Sequence, residues 1–393
     1  MVDAETTAQT ARLVREMQAG MQVPLSPLVE RAFLRVPRGH FVPSYLTPAL
    51  RTGGADWSRA RRVSAPSTAW QKAVYSDAAL VTEVMDGMPS SSSTMPSIMA
   101  AMIDALELRP GQRVLEIGTG TGYNAAVLAH CVGPSGQVSS IEHQGNLAQR
   151  AHERLQSAAL PTAVTVHHGD GLFGDEEHAP FDRIMATASA PRIPKPWLQQ
   201  LAVGGRLIAD LRGGLAGSLL LLSRDDDDSY SGHFLHDIDA AFMALAEPGS
   251  EDGHRMLEEL LRMPQQDAGF PDALDPRLIM SDESRETAWF TQWEFPSAHY
   301  TERSVEGRDE LCLLSSDDRT LLRFVAAGDP PAWTAWVHGA DPRILDRLVE
   351  VVQWWDAAGQ PSRRQCRWTG RQDGAQAIEF LQAHGSIMRR WPL

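Results

Sequence analysis

The sequence has few cysteines and no long apolar segment. Three of its 393 residues are cysteine, and Cys131, Cys312 and Cys366 are far apart along the chain. This spacing provides neither a metal-binding pair nor a disulfide framework, and it is typical of a reducing compartment. The first thirty residues have scattered charges instead of a signal-peptide core, and no stretch is apolar enough to span a membrane. We therefore expect a cytoplasmic protein without a membrane partner.

Basic residues are also in deficit. Lysine and arginine total 36 against 50 aspartate and glutamate residues, which gives a formal net charge of −14. A broad nucleic-acid footprint requires a basic face, so we predict that the chain does not bind nucleic acid. The acidic run Asp225–Asp228 is not expected to hold a cation, because adjacent turn residues converge poorly on one ion. We expect no metal, and composition indicates no particular oligomeric state.

One stretch carries the clearest functional pattern. A short apolar run that contains Glu116 leads into Gly118, Gly120 and Gly122, and a helix-forming segment begins at Tyr123. This order predicts a buried parallel strand, a tight turn and a helix start. Glycine lets the backbone approach a ligand closely, and the first turn of a helix has free N–H groups. Some strand–turn–helix units bind nothing, so ligand binding is a hypothesis at this point.

The ligand that this pattern favours is cationic and lacks phosphate. The glycine spacing is G-x-G-x-G, whereas dinucleotide-binding folds use G-x-G-x-x-G. Glu116 would bond an ammonium or a ribose hydroxyl, but it would repel a pyrophosphate. A second predicted strand ends at Glu142, 24 residues after Gly118, about where nucleotide-binding folds place the carboxylate that holds the ribose. S-Adenosylmethionine is the obvious ligand with these properties.

Further candidate contacts follow later strands. A third strand leads into Gly169–Gly171, where Asp170 could contact an adenine amino group, and a fourth strand runs through Thr187 at the expected acceptor edge. The predicted cofactor-binding residues are Glu116, Gly118, Thr119, Gly120, Gly122, Tyr123, Glu142, His143, Gly169, Asp170, Gly171 and Thr187.

A serine run precedes the glycine turn and a predicted helix over 97–106. Such a run alone is typical of a flexible linker. Hydroxyl and N–H groups at a helix start favour a carboxylate, so we prefer a loop that holds an anionic acceptor beside the cofactor. Thr94, helped by Ser93 or Ser92, is the predicted catalytic group because it would fix the acceptor by hydrogen bonds.

Alternation of strands and helices predicts an α/β fold with a largely parallel sheet covered on both faces. Residues 51–74 are polar and are expected to form a loop. A composition change near 247 predicts two domains, 1–246 and 247–393, of which the second has α+β character. Eight of the eleven tryptophans follow residue 280. We expect most of them to form a core, and the alternative is a peptide-recognition groove.

From Arg35 to Leu211 the chain resembles the protein-L-isoaspartate O-methyltransferase family. The matching pieces are V-P-R and F-V-P within 36–43, Y-S-D at 75–77, the stretch 114–123, G-D-G at 169–171, F-D-R-I at 181–184, T-A-S-A-P at 187–191 and G-G-R-L at 204–207. The resemblance implies a Rossmann-like class I methyltransferase sheet, followed here by a C-terminal α+β extension. It also implies S-adenosylmethionine as donor, S-adenosylhomocysteine as product, and a peptide or protein carboxylate as acceptor. It assigns the ribose contact to Glu142 and the adenine contact to Asp170.

Two departures from the family pattern bear on the substrate. Thr94 stands where the family's acceptor loop has a serine, and the chain continues well beyond the sheet at which repair enzymes usually stop. The serine-rich acceptor loop and the long C-terminal extension resemble those of the branch that matures ribosomally made peptides, among them lanthipeptides and graspetides. That branch implies methylation of an ordinary aspartate, closure to an aspartimide and, after hydrolysis, isoaspartate. The alternatives are repair of isoaspartyl residues in damaged proteins and a non-catalytic, cofactor-binding scaffold.

Overall fold

A computed structural model describes residues 3–51, 54–226, 228–235, 238, 240–245, 253–270, 274–277, 285–305, 307–328, 332–381 and 386–393. The helices are α1 Ala4–Gly20, α2 Pro27–Arg35, α3 Arg38–Phe41, α4 Thr68–Val74, α5 Pro96–Ala105, α6 Tyr123–Val132, α7 Gly145–Ser157, α8 Lys195–Gln200, α9 Gly253–Leu261, α10 Arg285–Glu294 and α11 Ile344–Ala357. The strands are β1 Ser44–Arg51, β2 Gly54–Ser64, β3 Leu80–Met85, β4 Met88–Ser93, β5 Arg113–Ile117, β6 Gln137–Glu142, β7 Val164–His168, β8 Phe181–Ala190, β9 Leu201–Arg212, β10 Gly217–Arg224, β11 Ser229–Leu235, β12 Gln266–Asp267, β13 Ala298–Val305, β14 Arg308–Ser315, β15 Thr320–Ala327, β16 Ala332–Gly339, β17 Cys366–Arg371, β18 Gln376–Leu381 and β19 Ile387–Pro392.

A ten-stranded sheet forms the centre of the molecule, in the order β19-β18-β17-β11-β10-β9-β8-β5-β6-β7. The five strands from β9 to β7 are parallel, and the remaining neighbours pair antiparallel. The chain moves outward in opposite directions from β5, through β6 and β7 on one side and through β8 and β9 on the other. In such sheets a crevice opens at the carboxyl ends of the strands where the order reverses. The prediction of a Rossmann-like α/β fold is confirmed.

Both faces of this sheet are covered by apolar packing. One face buries Phe33, Ile103 and Leu128 from α2, α5 and α6. The other buries Trp197 of α8 together with Trp289 and Phe290 of α10. Strand β5 is buried on both sides, because Leu115 and Ile117 face one core and Val114 faces the other. This two-sided burial explains why Val114, Leu115 and Ile117 are all apolar.

The expectation of a loop over residues 51–74 was wrong. Strand β2 pairs antiparallel with β1, and Ser67 begins α4 by accepting a hydrogen bond from the Trp70 N–H. The polar composition reflects an outlying two-stranded sheet whose side chains are largely exposed or half-buried. Among the described residues, no helix combines the length and apolarity needed to cross a membrane.

The C-terminal region contributes to two sheets. Strands β12 to β16 form a separate five-stranded antiparallel sheet, whereas β17 to β19 extend the large sheet through the pairing of β17 with β11. The boundary expected between 246 and 247 lies outside the described residues. A division into domains 1–246 and 247–393 stays a prediction, and the return of β17 to β19 shows that it would not separate the sheets.

Candidate active site

A cavity of about 730 Å³ lies at the carboxyl end of β5. Its lining includes the glycine turn after β5, the end of β6, the serine strand β4 and residues 240–245, together with residues of α5, α6 and β8. Strands are added on one side of β5 by β6 and β7 and on the other side by β8 and β9. A cavity at the carboxyl end of β5 therefore occupies the usual ligand position of an open α/β sheet.

The glycine turn brings backbone against this cavity. Gly118 has a φ of 94°, and a Cβ there would lie 2.8 Å from the Thr187 hydroxyl oxygen. That hydroxyl donates a hydrogen bond to the Gly118 carbonyl at 2.8 Å. Gly120 has a φ of 53°, and a Cβ there would lie 3.4 Å from the Ser92 carbonyl oxygen. Positive φ and close neighbours both favour glycine at these positions.

Glu142 is a buried, preorganised carboxylate at the end of β6. The Gly120 N–H donates to one carboxylate oxygen at 2.8 Å, and the Gln144 N–H donates to the other at 2.9 Å. Each carboxylate oxygen has a second lone pair, so both can still accept a hydrogen bond from a ligand hydroxyl. Glu142 lines the cavity and is suited to hold a diol.

Glu116 lies beneath the turn and not on the cavity wall. It is fully buried, with its carboxylate accepting hydrogen bonds from the Ser140 hydroxyl and, at 2.7 Å, from the Asn124 amide. Burial raises the pKa of Glu116 to about 7, although both hydrogen bonds favour the ionised form. Its position indicates support of the turn and of α6.

The serine run is a β-strand. Strand β4 pairs antiparallel with β3, with Leu80 opposite Ser93 and Val81 opposite Ser92. Its last residues meet the fully buried Arg38, whose guanidinium donates to the carbonyls of Ser93 and Thr94 at 3.0 and 3.1 Å. The Ser93 hydroxyl accepts from Arg38 Nε at 3.2 Å. Burial lowers the pKa of Arg38 to about 10, so the side chain stays charged at neutral pH.

Arg38 therefore fixes the end of β4 where it reaches the cavity. Its remaining contacts are the carbonyls of Ser76 and Ala78, at 3.1 and 2.9 Å. A cation in this position holds two neighbouring loops and β4 together by charge-assisted hydrogen bonds. Arg38 belongs to the V-P-R motif, but the residue pattern alone does not reveal this role.

Three buried polar atoms beside the cavity have no hydrogen-bond partner among the described residues. They are the hydroxyl oxygens of Ser90 and Tyr123 and the side-chain carbonyl oxygen of Asn124. A buried polar group without a partner is costly, and a bound polar ligand would remove that cost. Together with Glu142 and the glycine turn, these atoms fit a nucleoside with a polar tail. Asn124 was missed because it stands inside an otherwise apolar helix segment.

Residues 240–245 complete the cavity on the side of β8. The Ser189 N–H donates to the Met243 carbonyl, and the Leu245 N–H donates to the Ser189 carbonyl, both at 2.9 Å. Buried Asp210 on β9 accepts from the Phe242 N–H at 3.1 Å and from Arg212 at 2.7 Å. The segment contains no recognisable motif. It is placed at the site by its contacts with β8 and β9, and the sequence does not show those contacts.

Most predicted site residues meet at this one cavity. Those that line it are Ser92, Ser93, Thr94, Gly118, Thr119, Gly120, Tyr123, Glu142, His143, Gly171 and Thr187. Glu116, Gly122, Gly169 and Asp170 do not line it. Gly122 is the left-handed residue before α6, and Asp170 accepts a hydrogen bond from the Leu172 N–H at 2.9 Å. The structure therefore brings the predicted acceptor residues together with Glu142, the residue predicted to hold the ribose, whereas Asp170, the predicted adenine contact, does not line the cavity.

The sequence comparisons with known proteins agree on one family. A family model described as protein-L-isoaspartate(D-aspartate) O-methyltransferase matches residues 59–247. The chain is 37% identical over 206 residues to a protein-L-isoaspartate O-methyltransferase of Methanothermobacter thermautotrophicus, covering 52% of this chain and 81% of that protein. It is also 37% identical over 203 residues to the protein of the same name from Methanothrix thermoacetophila, covering 52% and 82%.

A solved structure named protein-L-isoaspartate O-methyltransferase shares the fold over nearly the whole length. The TM-score is 0.53 at 22% identity, and the superposition covers 94% of this chain and 98% of that one. A long C-terminal extension therefore does not by itself set this chain apart from proteins of that name.

Proposed function

Because the chain belongs to the protein-L-isoaspartate O-methyltransferase family, it is an S-adenosylmethionine-dependent carboxyl methyltransferase, and we propose that it esterifies the free carboxylate of isoaspartyl residues in proteins or peptides. One observation carries this proposal. The end of β4, with Thr94, and the carboxylate of Glu142 face the same cavity. A donor held by the glycine turn and an acceptor held by the strand would share one enclosed space.

The cofactor assignments follow from the donor set. Glu142 would accept hydrogen bonds from the ribose hydroxyls, and the backbone of Gly118 to Gly120 would lie against the nucleoside. The polar tail of the cofactor would form hydrogen bonds with the buried atoms of Ser90, Tyr123 and Asn124 that have no partner among the described residues. When bound, S-adenosylmethionine supplies a methyl group on a positively charged sulfur, which an acceptor oxygen can take by direct displacement. Asp170 stays a candidate for the adenine side.

The acceptor needs orientation more than activation. A peptide carboxylate is already ionised at neutral pH, so the chain does not need a strong general base. The Thr94 hydroxyl, with Ser92, would donate a hydrogen bond to one carboxylate oxygen and aim the other toward the donor. Arg38 would keep this strand end in place through the carbonyls of Ser93 and Thr94. A fixed near-attack geometry and exclusion of water are the contributions expected of the protein.

The substrate is tested with two synthetic peptides that differ only in one linkage, isoaspartyl or aspartyl. Transfer of a labelled methyl group from S-adenosylmethionine is measured for each at equal concentration. We expect label on the isoaspartyl peptide and almost none on the aspartyl peptide. Label on the aspartyl peptide alone would overturn the repair assignment, and failure of S-adenosylhomocysteine to bind in calorimetry would overturn the enzyme assignment.

The second candidate is methylation of an ordinary aspartate in a ribosomally made, modified peptide. Thr94 at the position of the family's serine, inside a run of hydroxyl residues, is the observation that favours it. In that reaction the methyl ester makes the side chain a better electrophile. The next backbone nitrogen then closes a five-membered aspartimide with loss of methanol, and hydrolysis gives isoaspartate. The same peptide pair separates the two candidates.

We also propose a reducing, cytoplasmic location and two domains, 1–246 and 247–393, which we expect to unfold together because they share one apolar core. The location is supported by Cys131, Cys312 and Cys366, which are buried free thiols. The acidic balance supports the absence of nucleic acid among its partners.

A further inference from the structure

We propose that His167, Asp175 and His178 form a binding site for one divalent transition-metal ion, with zinc the best match. His167 lies on β7, and the other two residues follow the Gly169–Gly171 turn. None of the three lines the cofactor cavity. The expectation of no metal rested on cysteine spacing and on the acidic run at Asp225, and neither observation concerned these residues.

The three side chains converge on one point. Their potential ligand atoms all lie within 4.8 Å of one another. One carboxylate oxygen of Asp175 is 3.2 Å from His167 Nε2 and 3.0 Å from His178 Nδ1. Zinc at about 2.0–2.1 Å from each ligand in a tetrahedron would separate the ligand atoms by about 3.3 Å. The two separations from Asp175 are close to that value, and the separation between the two imidazole nitrogens is at most 4.8 Å.

The orientation of His167 supports a ligand. Its Nε2 is buried, and no described residue makes a hydrogen bond to it with acceptable geometry, although the Asp175 carboxylate is 3.2 Å away. If this contact served only to pair the imidazole with the carboxylate, the N–H would be aimed at the oxygen. A metal ion between the two groups would use the nitrogen lone pair and remove the unsatisfied atom.

A supporting shell holds the ligands in place. The Ser139 hydroxyl donates to Asp175 Oδ2, and the Asp175 N–H donates to the Gln200 side-chain carbonyl at 2.8 Å. The Arg113 guanidinium donates to the His178 carbonyl. These contacts come from β5, β6 and α8, so the ligand positions are defined by regular structure. Such outer contacts are characteristic of protein metal sites.

The donor set selects the metal. Two imidazoles and one carboxylate suit zinc and late first-row metals, whereas magnesium and calcium prefer all-oxygen sites. The Asp175 side chain is 6% exposed, but those of His167 and His178 are 31% and 39% exposed. This open side leaves room for water as a fourth ligand. A bound ion would tie the segment after Gly171 to β7, so metal binding should stabilise the fold.

The test uses the full chain without a histidine tag, freed of metal by a chelator and dialysed. Cobalt(II) is added to follow its visible absorption, and zinc binding is measured by calorimetry. We expect one ion per chain, an absorption spectrum typical of tetrahedral cobalt, displacement by zinc, and a higher melting temperature with zinc. His178→Ala and His167→Ala should each weaken zinc binding by about tenfold or more.

The matched variant is His168→Ala, which removes an exposed imidazole next to His167 on the same strand. It should bind zinc as the unaltered protein does. Absence of stoichiometric zinc binding in the unaltered protein would overturn the proposal. So would equal loss of affinity in His168→Ala and His178→Ala, because the binding would then be nonspecific. A circular dichroism spectrum of each metal-free variant verifies that it is folded.

Discussion

The parallel half of the large sheet and the C-terminal region after residue 247, here called the addition, differ in what surrounds their unpartnered buried polar atoms. Next to the parallel half, on β4 and α6, buried atoms of Ser90, Tyr123 and Asn124 that have no partner among the described residues lie beside a cavity. In the addition, the indole nitrogens of Trp289 and Trp293 also have no hydrogen-bond partner among the described residues, but the two rings pack edge-on against each other at 5.6 Å within one core. An orphaned atom thus indicates a ligand site when open space adjoins it. When aromatic rings enclose a buried N–H, weak contacts with those rings account for the missing hydrogen bond without a ligand.

The tryptophans of the addition lie largely in a core that it shares with the large sheet. Trp289, Trp293, Trp368 and Trp391 are buried, so the prediction that most of this group forms a core is confirmed for them. They do not form a core of their own, because Trp289 packs edge-on against Phe234 of β11 at 4.9 Å. The addition and the methyltransferase sheet share apolar contacts. A peptide-recognition groove in this region stays a prediction.

The largest expected effect breaks that shared core. Trp289→Ala removes a fully buried ring and should lower the free energy of unfolding by about 3–5 kcal/mol. Because the ring touches β11, urea unfolding followed by circular dichroism should show one transition shifted to lower urea. Trp333→Ala, at a half-buried position, should cost less. A new early transition with the rest unchanged would instead mean that the addition folds independently.

The next effect concerns the buried carboxylate beneath the glycine turn. Burial raises the pKa of Glu116 in the folded state to about 7 from 4.5, so the folded protein retains a proton that the unfolded chain loses. Stability from this group therefore falls as pH rises from about 4.5 to 7, by at most about 3 kcal/mol. The glutamine of Glu116→Gln cannot ionise, so the variant should lack this contribution to the fall in the free energy of unfolding with pH. Urea unfolding of both proteins at pH 5 and 7.5 measures it, and parallel pH profiles would contradict the assignment.

A smaller loss of stability is expected from replacing a glycine of the turn, and a glycine outside the site provides the control. Gly118→Ala would adopt a strained φ and would bring its Cβ to 2.8 Å from the Thr187 oxygen. The strain alone costs about 1–2 kcal/mol, and cofactor affinity should also fall. Gly204→Ala has a similar φ of 70°, but its Cβ would lie more than 4 Å from every non-neighbouring atom of the described residues. It should lose stability while S-adenosylhomocysteine affinity, measured by calorimetry, stays unchanged. Equal losses of affinity would show that backbone strain and not the site is responsible.

The smallest effect on stability is expected at the end of β4. Thr94→Val should change the free energy of unfolding by less than about 1 kcal/mol, because the residue is half-buried. Turnover should fall about tenfold or more, since a hydrogen bond to a charged carboxylate is lost, with little change in cofactor affinity. Thr94→Ser keeps the hydroxyl and should retain most of the activity. A similar fall in both variants would remove Thr94 from the acceptor site.

The local parts of the site could be predicted from the sequence, and the long-range parts could not. The strand, turn and helix around Gly118 follow from apolar periodicity and from glycine at positions of positive φ. The serine run was expected to be a loop, because its strand character depends on pairing with β3 and on the buried Arg38. Residues 240–245 reach the cavity only after β8, β9 and β11 are assembled. The position of Asp175 likewise depends on distant residues, because its contacts come from Ser139 of β6 and Gln200 of α8.

The account depends most on Glu142 as the group that holds the cofactor ribose. Calorimetric titration of S-adenosylhomocysteine into the unaltered protein and into Glu142→Gln tests this directly. Glutamine offers one acceptor oxygen where the carboxylate offers two, so it cannot receive both backbone N–H groups and a diol. We predict binding to the unaltered protein at one site and a loss of about tenfold or more in the variant. Equal affinity in the two proteins would contradict the account.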